Sequence, residues 1–515
     1  MNFPSIFNDV IGPVMRGPSS SHCAAALRIG RICRNLMNND ILEVNIKFDP
    51  NGSLATTHKS QGSDMGLFGG FLGWEAHDEK LPKYEKAITD AGIKINIEIA
   101  NIGADHPNTY QMELINENEK REVTAISIGG GMIEVIKIDG AEVSIIGDYY
   151  ETLIYVKSFD EVPQILTDSF NYDELIKHEG QYKFIEIKSL QFLPKELIKK
   201  ISELEEVLFI KMISPVLPIL SRKNLSVPFI TCREMLEFNK DKNLELWELA
   251  VEYESKRGNI STKEVFEKMR EIVRIMKTSI LEGVKGTEYD DRILECQSVT
   301  FKNKMESKNL IGGDFLNRII LYVTAIMEVK SSMGVIVAAP TAGSCGALPG
   351  AVLSVSTGLN LSEDETVKAM LAAGMIGIFI SAHATFAAEV GGCMAECGSG
   401  SGMAAAAIVG MSGGSLEQSI SAASVALQNS FGMVCDPIAN RVEAPCLGKN
   451  IMAATNALSC ANMALANYNY LIPLDEVIKA MDDVAKSMPH TLRCTALGGL
   501  SITKTSKEIE KKLNK

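Results

Sequence analysis

A chain of 515 residues is too long for one hydrophobic core, and ordinary domain sizes predict two to four units. Its 46% hydrophobic and 22% charged residues suit a folded globular protein, while a net charge of -13 excludes nucleic acid as an expected partner, because phosphate backbones bind basic faces. Eleven cysteines, odd in number and scattered, exclude a disulfide framework and leave buried thiols, metal ligands or reactive thiols.

Met1 to Asn8 lacks the charged start and apolar middle of a signal peptide, so a cytoplasmic protein is expected. Next, GPSSSH concentrates Ser19, Ser20, Ser21 and His22 before the helical spacing of CAAALRIGRICRNLM, where one serine is expected to cap the helix. Apolar alternation in ILEVNIKFD, INIEIA and AISIGGGMIEVIKIDGAEVSII predicts strands, so residues 1–150 read as an α+β domain. Residues 151–213 read strand, helix, strand, helix, strand, close to the βαββαβ module called ACT with one strand missing. Three prolines in residues 214–228 mark a linker, and residues 229–515 read as an all-α domain dense in Ala, Gly and Met. The one apolar stretch of membrane length, Leu371 to Val390, is interrupted by Gly374 and Gly377 and carries His383 and Glu389. It is expected to be a buried helix, with His383 a satisfied core residue and no membrane partner.

Three thiols sit beside glycine or proline: Cys393 in EVGGCMAE, Cys435 in GMVCDPIAN and Cys446 in VEAPCLGKN. Such punctuation lets a ligand leave regular backbone and point at a shared centre, and three ligands leave one iron of a 4Fe-4S cube open as a Lewis acid. The competing reading is three core thiols that happen to lie near turns. GSGSG, Gly398 to Gly402, could cradle the phosphate of a pyridoxal cofactor, but that chemistry needs a Schiff-base lysine and none stands out. Close packing of the backbone is the simpler expectation there.

Longer motifs decide between these readings. IGPVMRGPSSSHCAAALRIGR, KSQGSD, HPNT and SIGGG, followed by APTAGSCGALPG, GGCMAECGSGSGMAAAAIV, VCDPIANRVEAPC and GGLS, resemble the iron-sulfur-dependent bacterial L-serine dehydratases with their β and α parts fused. The resemblance implies a 4Fe-4S cluster on Cys393, Cys435 and Cys446, with Cys397 a packing neighbour. It also implies that the loop with Ser19, Ser20 and Ser21 reaches the pocket of a small amino-acid substrate. Asn108, Thr109, Thr341 and Ser344 are further candidate contacts, and a homodimer is expected. His22, His106 and His58, in that order, are the candidate bases. Helix capping competes for Thr341 and Ser344, and loop stabilisation for His106. Gln61 stands where the family commonly has His, Cys494 where Glu is often found, and SAHATF replaces a more usual Asn- and Ser-containing run. These departures touch expected pocket walls, so a related lyase acting on another β-substituted or β-hydroxy amino acid is the alternative. A non-enzymatic amino-acid sensor would have no use for three such thiols.

Overall fold

Apolar residues alternate with polar ones in Glu43–Phe48 (β1), Lys94–Ile99 (β2), Thr109–Ile115 (β3), Lys120–Gly129 (β4), Met132–Ile138 (β5) and Ala141–Ile145 (β6). All six are strands of one sheet in the computed structural model, which describes residues 3–513. The order is β2-β1-β3-β4-β5-β6, with β1 and β2 parallel and the other neighbours antiparallel. The apolar face, including Val44, Ile46, Tyr110 and Val135, packs on the helices Ala25–Leu36 and Ser63–Phe71. Those helices approach to backbone contact, since a Cβ on Gly70 would stand 2.3 Å from the Leu27 carbonyl oxygen.

A second sheet follows from Tyr150–Val156 (β7), Glu174–Glu179 (β8), Lys183–Ser189 (β9) and Val207–Ile213 (β10), antiparallel in the order β10-β7-β9-β8. With the helices Val162–Ser169 and Lys195–Ser202 it completes βαββαβ, so the strand expected to be missing is present. It is β8, an edge strand with little buried apolar surface, which leaves no apolar run to read in ELIKHE. One face of this sheet, with Ile154, Ile185 and Ile187, packs on its two helices. The other face, with Leu153, Tyr155 and Phe184, joins the core of the first sheet, so residue 150 divides no cores. Arg121 ties the two sheets together: its Nη1 donates to Asp139 Oδ2 at 3.0 Å, and the Tyr155 hydroxyl donates to the same oxygen at 3.1 Å.

The compact units differ from the divisions expected from sequence: one is Ser19–Leu225, and the other joins the segment up to Pro18 to that from Ser226 onward. Most of the expected linker therefore belongs to the sheet unit, where Leu217 and Ile219 are buried and the Val216 N–H donates to the Gly147 carbonyl at 2.8 Å. The first residues join the helical unit because that unit has places for them. Ile6 and Val10 sit over Gly374 and Gly377 of the helix Glu363–His383, and Val14–Arg16 pairs antiparallel with Val335–Val337. That ribbon makes the unit mainly rather than wholly helical. The glycines interrupting the apolar stretch are thus seats for side chains. Glu363–His383 is the one described helix long and apolar enough to cross a membrane, and 78% of its apolar window is buried inside the protein. It stops at His383, and Ala388–Cys393 is a separate helix. His383 is exposed, its Nε2 3.1 Å from the Ile230 carbonyl oxygen, and is not a core residue.

Glu254 anchors the N-terminal segment. It is fully buried and accepts hydrogen bonds from Ser5 Oγ at 2.5 Å and the Ile6 N–H at 2.8 Å, and burial raises its pKa from 4.5 to about 7. The folded chain holds this proton between those values while the unfolded chain releases it, so the group's contribution to stability declines as pH rises from 4.5 to about 7. Glu254→Gln is expected to flatten that decline, as measured by urea unfolding at each end of the window.

Candidate functional site

Gly392 bends the chain. Its φ is +64°, and a Cβ there would stand 2.8 Å from the Met433 carbonyl oxygen, which accepts the Met394 N–H at 2.9 Å. The bend carries the chain from the helix Ala388–Cys393 into the turn Met394–Gly398 and on to the helix Ser399–Met411, which buries both Cys393 and Cys397. GSGSG is therefore helix start and packing surface: a Cβ on Gly402 would meet the Leu427 side chain at 2.9 Å. Cys435 lies in an extended segment whose N–H donates to the Leu492 carbonyl at 2.9 Å, while its own carbonyl accepts the Cys494 N–H at 3.0 Å. Cys446 opens the helix Cys446–Leu465, and Asn450 Nδ2 donates to its carbonyl at 2.9 Å.

The Sγ atoms of Cys393 and Cys435 and a carboxylate oxygen of Glu396 all lie within 4.8 Å of one another. Hydrogen bonds from the Cys397 and Cys435 thiols hold Cys393 well below the usual thiol range. Donating to Cys393 pushes Cys397 and Cys435 above that range, and Cys435 is also hydrogen-bonded to Cys494. Cys446 stands outside the 4.8 Å group; its thiol is raised by burial and then by the charge on Cys393. Two of the three thiols expected from sequence are thus brought together directly, and Cys397 is a thiol neighbour of Cys393.

Glu396 was not foreseen. The one signal was its position as the only ionisable residue other than thiols in GGCMAECGSGSG. It is partly buried, and burial followed by the Cys393 charge pushes its carboxyl up to about 8. Thr341 Oγ1 donates to its Oε1 at 2.6 Å, and a Cβ on Gly343 would stand 2.9 Å from both carboxylate oxygens. Thr341 and Ser344 do not cap a helix. They bond to each other within the turn, the Ser344 N–H reaching Thr341 Oγ1 at 3.2 Å. The first N–H groups of the helix Ala347–Gly358 are instead satisfied by Asn450 Oδ1, at 3.2 Å from Gly346 N and 3.0 Å from Ala347 N. Lys330 was also unforeseen: it is fully buried and donates to the Val442 carbonyl in the segment between Cys435 and Cys446.

In the Ser19–Leu225 unit, the three expected histidines gather around residues 53–58. His22 is buried, its Nδ1 2.9 Å from Ser19 Oγ and its Nε2 3.1 Å from Thr57 Oγ1. Desolvation lowers its pKa to about 4, so the ring is neutral at physiological pH. His58 Nδ1 is 2.7 Å from Asp64 Oδ1. His106 Nδ1 accepts the Asn108 N–H at 3.1 Å and its carbonyl accepts Thr109 Oγ1–H at 2.7 Å, while Asn108 accepts from Ser53. The capping serine expected in GPSSSH is absent: Ser20–Ala24 is a wide turn, and neither it nor the helix Ala25–Leu36 has a side-chain cap.

Comparison with known proteins adds the following. The family model described as serine dehydratase alpha chain matches residues 241–501, and that described as serine dehydratase beta chain matches residues 9–137. The chain is 36% identical to a Bacillus subtilis protein named probable L-serine dehydratase, alpha chain, over 55% of its own length and 95% of the relative. It is 38% identical to the probable beta chain of the same organism over 30% of its length and 69% of the relative. A Streptomyces coelicolor L-serine dehydratase is 26% identical over 94% of this chain and 96% of the relative.

Gly392→Ala forces an L side chain into the left-handed region and against a carbonyl oxygen. It is expected to cost about 1–3 kcal/mol in thermal or denaturant unfolding and to lower uptake of a thiol-bound metal. Gly410→Ala, at a helical position with nothing within 4 Å, is expected to leave metal uptake unchanged and to raise stability by up to about 1 kcal/mol.

Proposed function

Since the chain belongs to the serine dehydratase family and carries the beta and alpha regions in one polypeptide, we propose that it deaminates L-serine by dehydration to pyruvate and ammonia. The observation that carries this reading is the pair of buried thiols beside a carboxylate, all within the region matched by the alpha-chain family.

The donor set suits a 4Fe-4S cluster. Thiolates are its protein ligands, and Cys393 is already held toward the thiolate. We assign Cys393, Cys435 and Cys446 to it. Bound by three thiolates, such a cluster supplies a Lewis acid that makes the β-hydroxyl of serine a better leaving group.

The chain's own residues supply the rest of the reading. His22 is the first candidate to take the Cα proton, because its buried ring is neutral and both nitrogens are oriented by hydroxyls. His106 and His58 follow it. Ser19, Ser20, Ser21, Asn108, Thr109, Thr341 and Ser344 are the proposed substrate contacts. The βαββαβ order of residues 150–213 supports the ACT-like assignment of that portion. We further propose a cytoplasmic homodimer.

A second reading has an observation of its own. Cys494 packs its thiol against Cys435, and Gln61 cannot titrate, which favours a lyase (dehydratase or desulfidase) for another β-hydroxy or β-substituted amino acid.

Protein prepared without oxygen is expected to release pyruvate and ammonia from L-serine in preference to L-threonine or L-cysteine. The reverse preference selects the second reading, and no turnover of any of the three removes both. Replacing Cys393, Cys435 or Cys446 by Ser is expected to strip iron, sulfide and visible absorption. Cys397→Ser is expected to retain most of each, and chelation of the iron to abolish turnover.

A further inference from the structure

Glu396 has an unusual position for an acid. It is the one residue of the turn Met394–Gly398 that is not buried, in a segment otherwise sealed inside the protein. The same carboxylate lies within 4.8 Å of the Cys393 and Cys435 thiols, which places it beside the reacting centre proposed above. Thr341 engages Oε1, and Gly343 leaves room for both oxygens. Oε2 accepts no hydrogen bond from any described residue, and no described cation pairs with the group. Lys330 acts on it electrostatically, but its ammonium is hydrogen-bonded to the Val442 carbonyl.

A partly exposed acid whose second oxygen has no described hydrogen-bond partner and no described ion pair, beside the expected cluster ligands, is a receptor for an incoming cation. We propose that Glu396 binds the α-ammonium group of the amino-acid substrate through Oε2, and so selects amino acids over hydroxy acids of the same size. This rests on the serine dehydratase reading for the identity of the substrate. Thr341 then acts as a positioning residue, because its hydroxyl fixes the carboxylate rotamer that presents Oε2. A site built for a charged donor discriminates strongly against ligands lacking it, since the ammonium partner would otherwise be left unpaired.

The test uses two unreactive ligands on anaerobically loaded, full-length protein. L-alanine keeps the ammonium and lacks the hydroxyl, whereas 3-hydroxypropanoate keeps the hydroxyl and lacks the ammonium. Calorimetry of Glu396→Gln is expected to show L-alanine binding weakened about tenfold or more, 3-hydroxypropanoate binding within about twofold of wild type, and iron and sulfide contents unchanged. Equal weakening of both ligands, no change in either, or no L-alanine binding by the wild type overturns the proposal. Loss of iron from Glu396→Gln overturns it too, by making the carboxylate a metal ligand. If the Gln variant does not fold, Glu396→Asp carries the same comparison, with selective weakening of L-alanine expected from the shorter arm. A wild type that binds L-alanine yet yields no pyruvate from L-serine would count against the proposed reaction and leave the ammonium assignment standing.

Discussion

Two buried thiols and a carboxylate can share one small space only where the backbone between them brings no side-chain bulk. Gly392 and Gly343 meet that condition: a Cβ on the first would strike the Met433 carbonyl, and on the second both oxygens of Glu396. Around them the helix Ser399–Met411 is mostly Gly, Ala and Ser, which lets neighbouring helices close to near-backbone distance. The dense packing is therefore a requirement of the site as much as of the fold. A methyl group added at either glycine displaces a group of chemical consequence.

Tight packing alone would not hold the thiol-bearing segments, because they are irregular and carry polar backbone into the interior. Buried ionic side chains do that work. Glu443, between Cys435 and Cys446, accepts the N–H groups of Ile293 and Leu294 at 2.8 and 3.0 Å, and Lys330 binds the neighbouring Val442 carbonyl. Glu328, two residues before Lys330, accepts from Gln297 N at 2.5 Å and from Ser298 Oγ at 2.6 Å. Lys449 Nζ bridges the Val434 carbonyl and Asp436 Oδ1, each at 2.6 Å, on either side of Cys435. Each buried charge ends on backbone or an opposite charge, which compensates its desolvation and fixes loop geometry.

The Ser19–Leu225 unit applies the same economy to histidine. His22, His58 and the His106 loop converge on residues 53–58 through hydroxyl, carboxylate and amide partners, so each ring orientation is fixed by its neighbours. The two sheets of this unit share one core, with Arg121, Asp139 and Tyr155 satisfying one another between them. That shared core explains why a boundary drawn at residue 150 from composition does not separate compact bodies.

Much of this was legible along the chain. Period-two alternation marked β1, β2 and β4 to β6, the Gly and Pro flanks singled out Cys393 and Cys435, which meet, along with Cys446, which stands outside their group, and the order of long motifs pointed to the family. Local pattern records burial on one face of one element, which is why it found those strands. It missed β8, whose position at a sheet edge removes the apolar signal. It also misplaced the segment from residue 3 to residue 18, whose partners Glu254, Gly374 and Gly377 lie hundreds of positions away. The meeting of Glu396 with Thr341, and of Cys494 with Cys435, likewise depends on helices and turns closing over long separations. By itself the sequence determined most of the segments that would be strand or helix and which thiols, histidines and hydroxyls were candidates for chemistry. Only the tertiary structure decided which of those side chains meet, because proximity across the chain comes from packing and is not written in any local period.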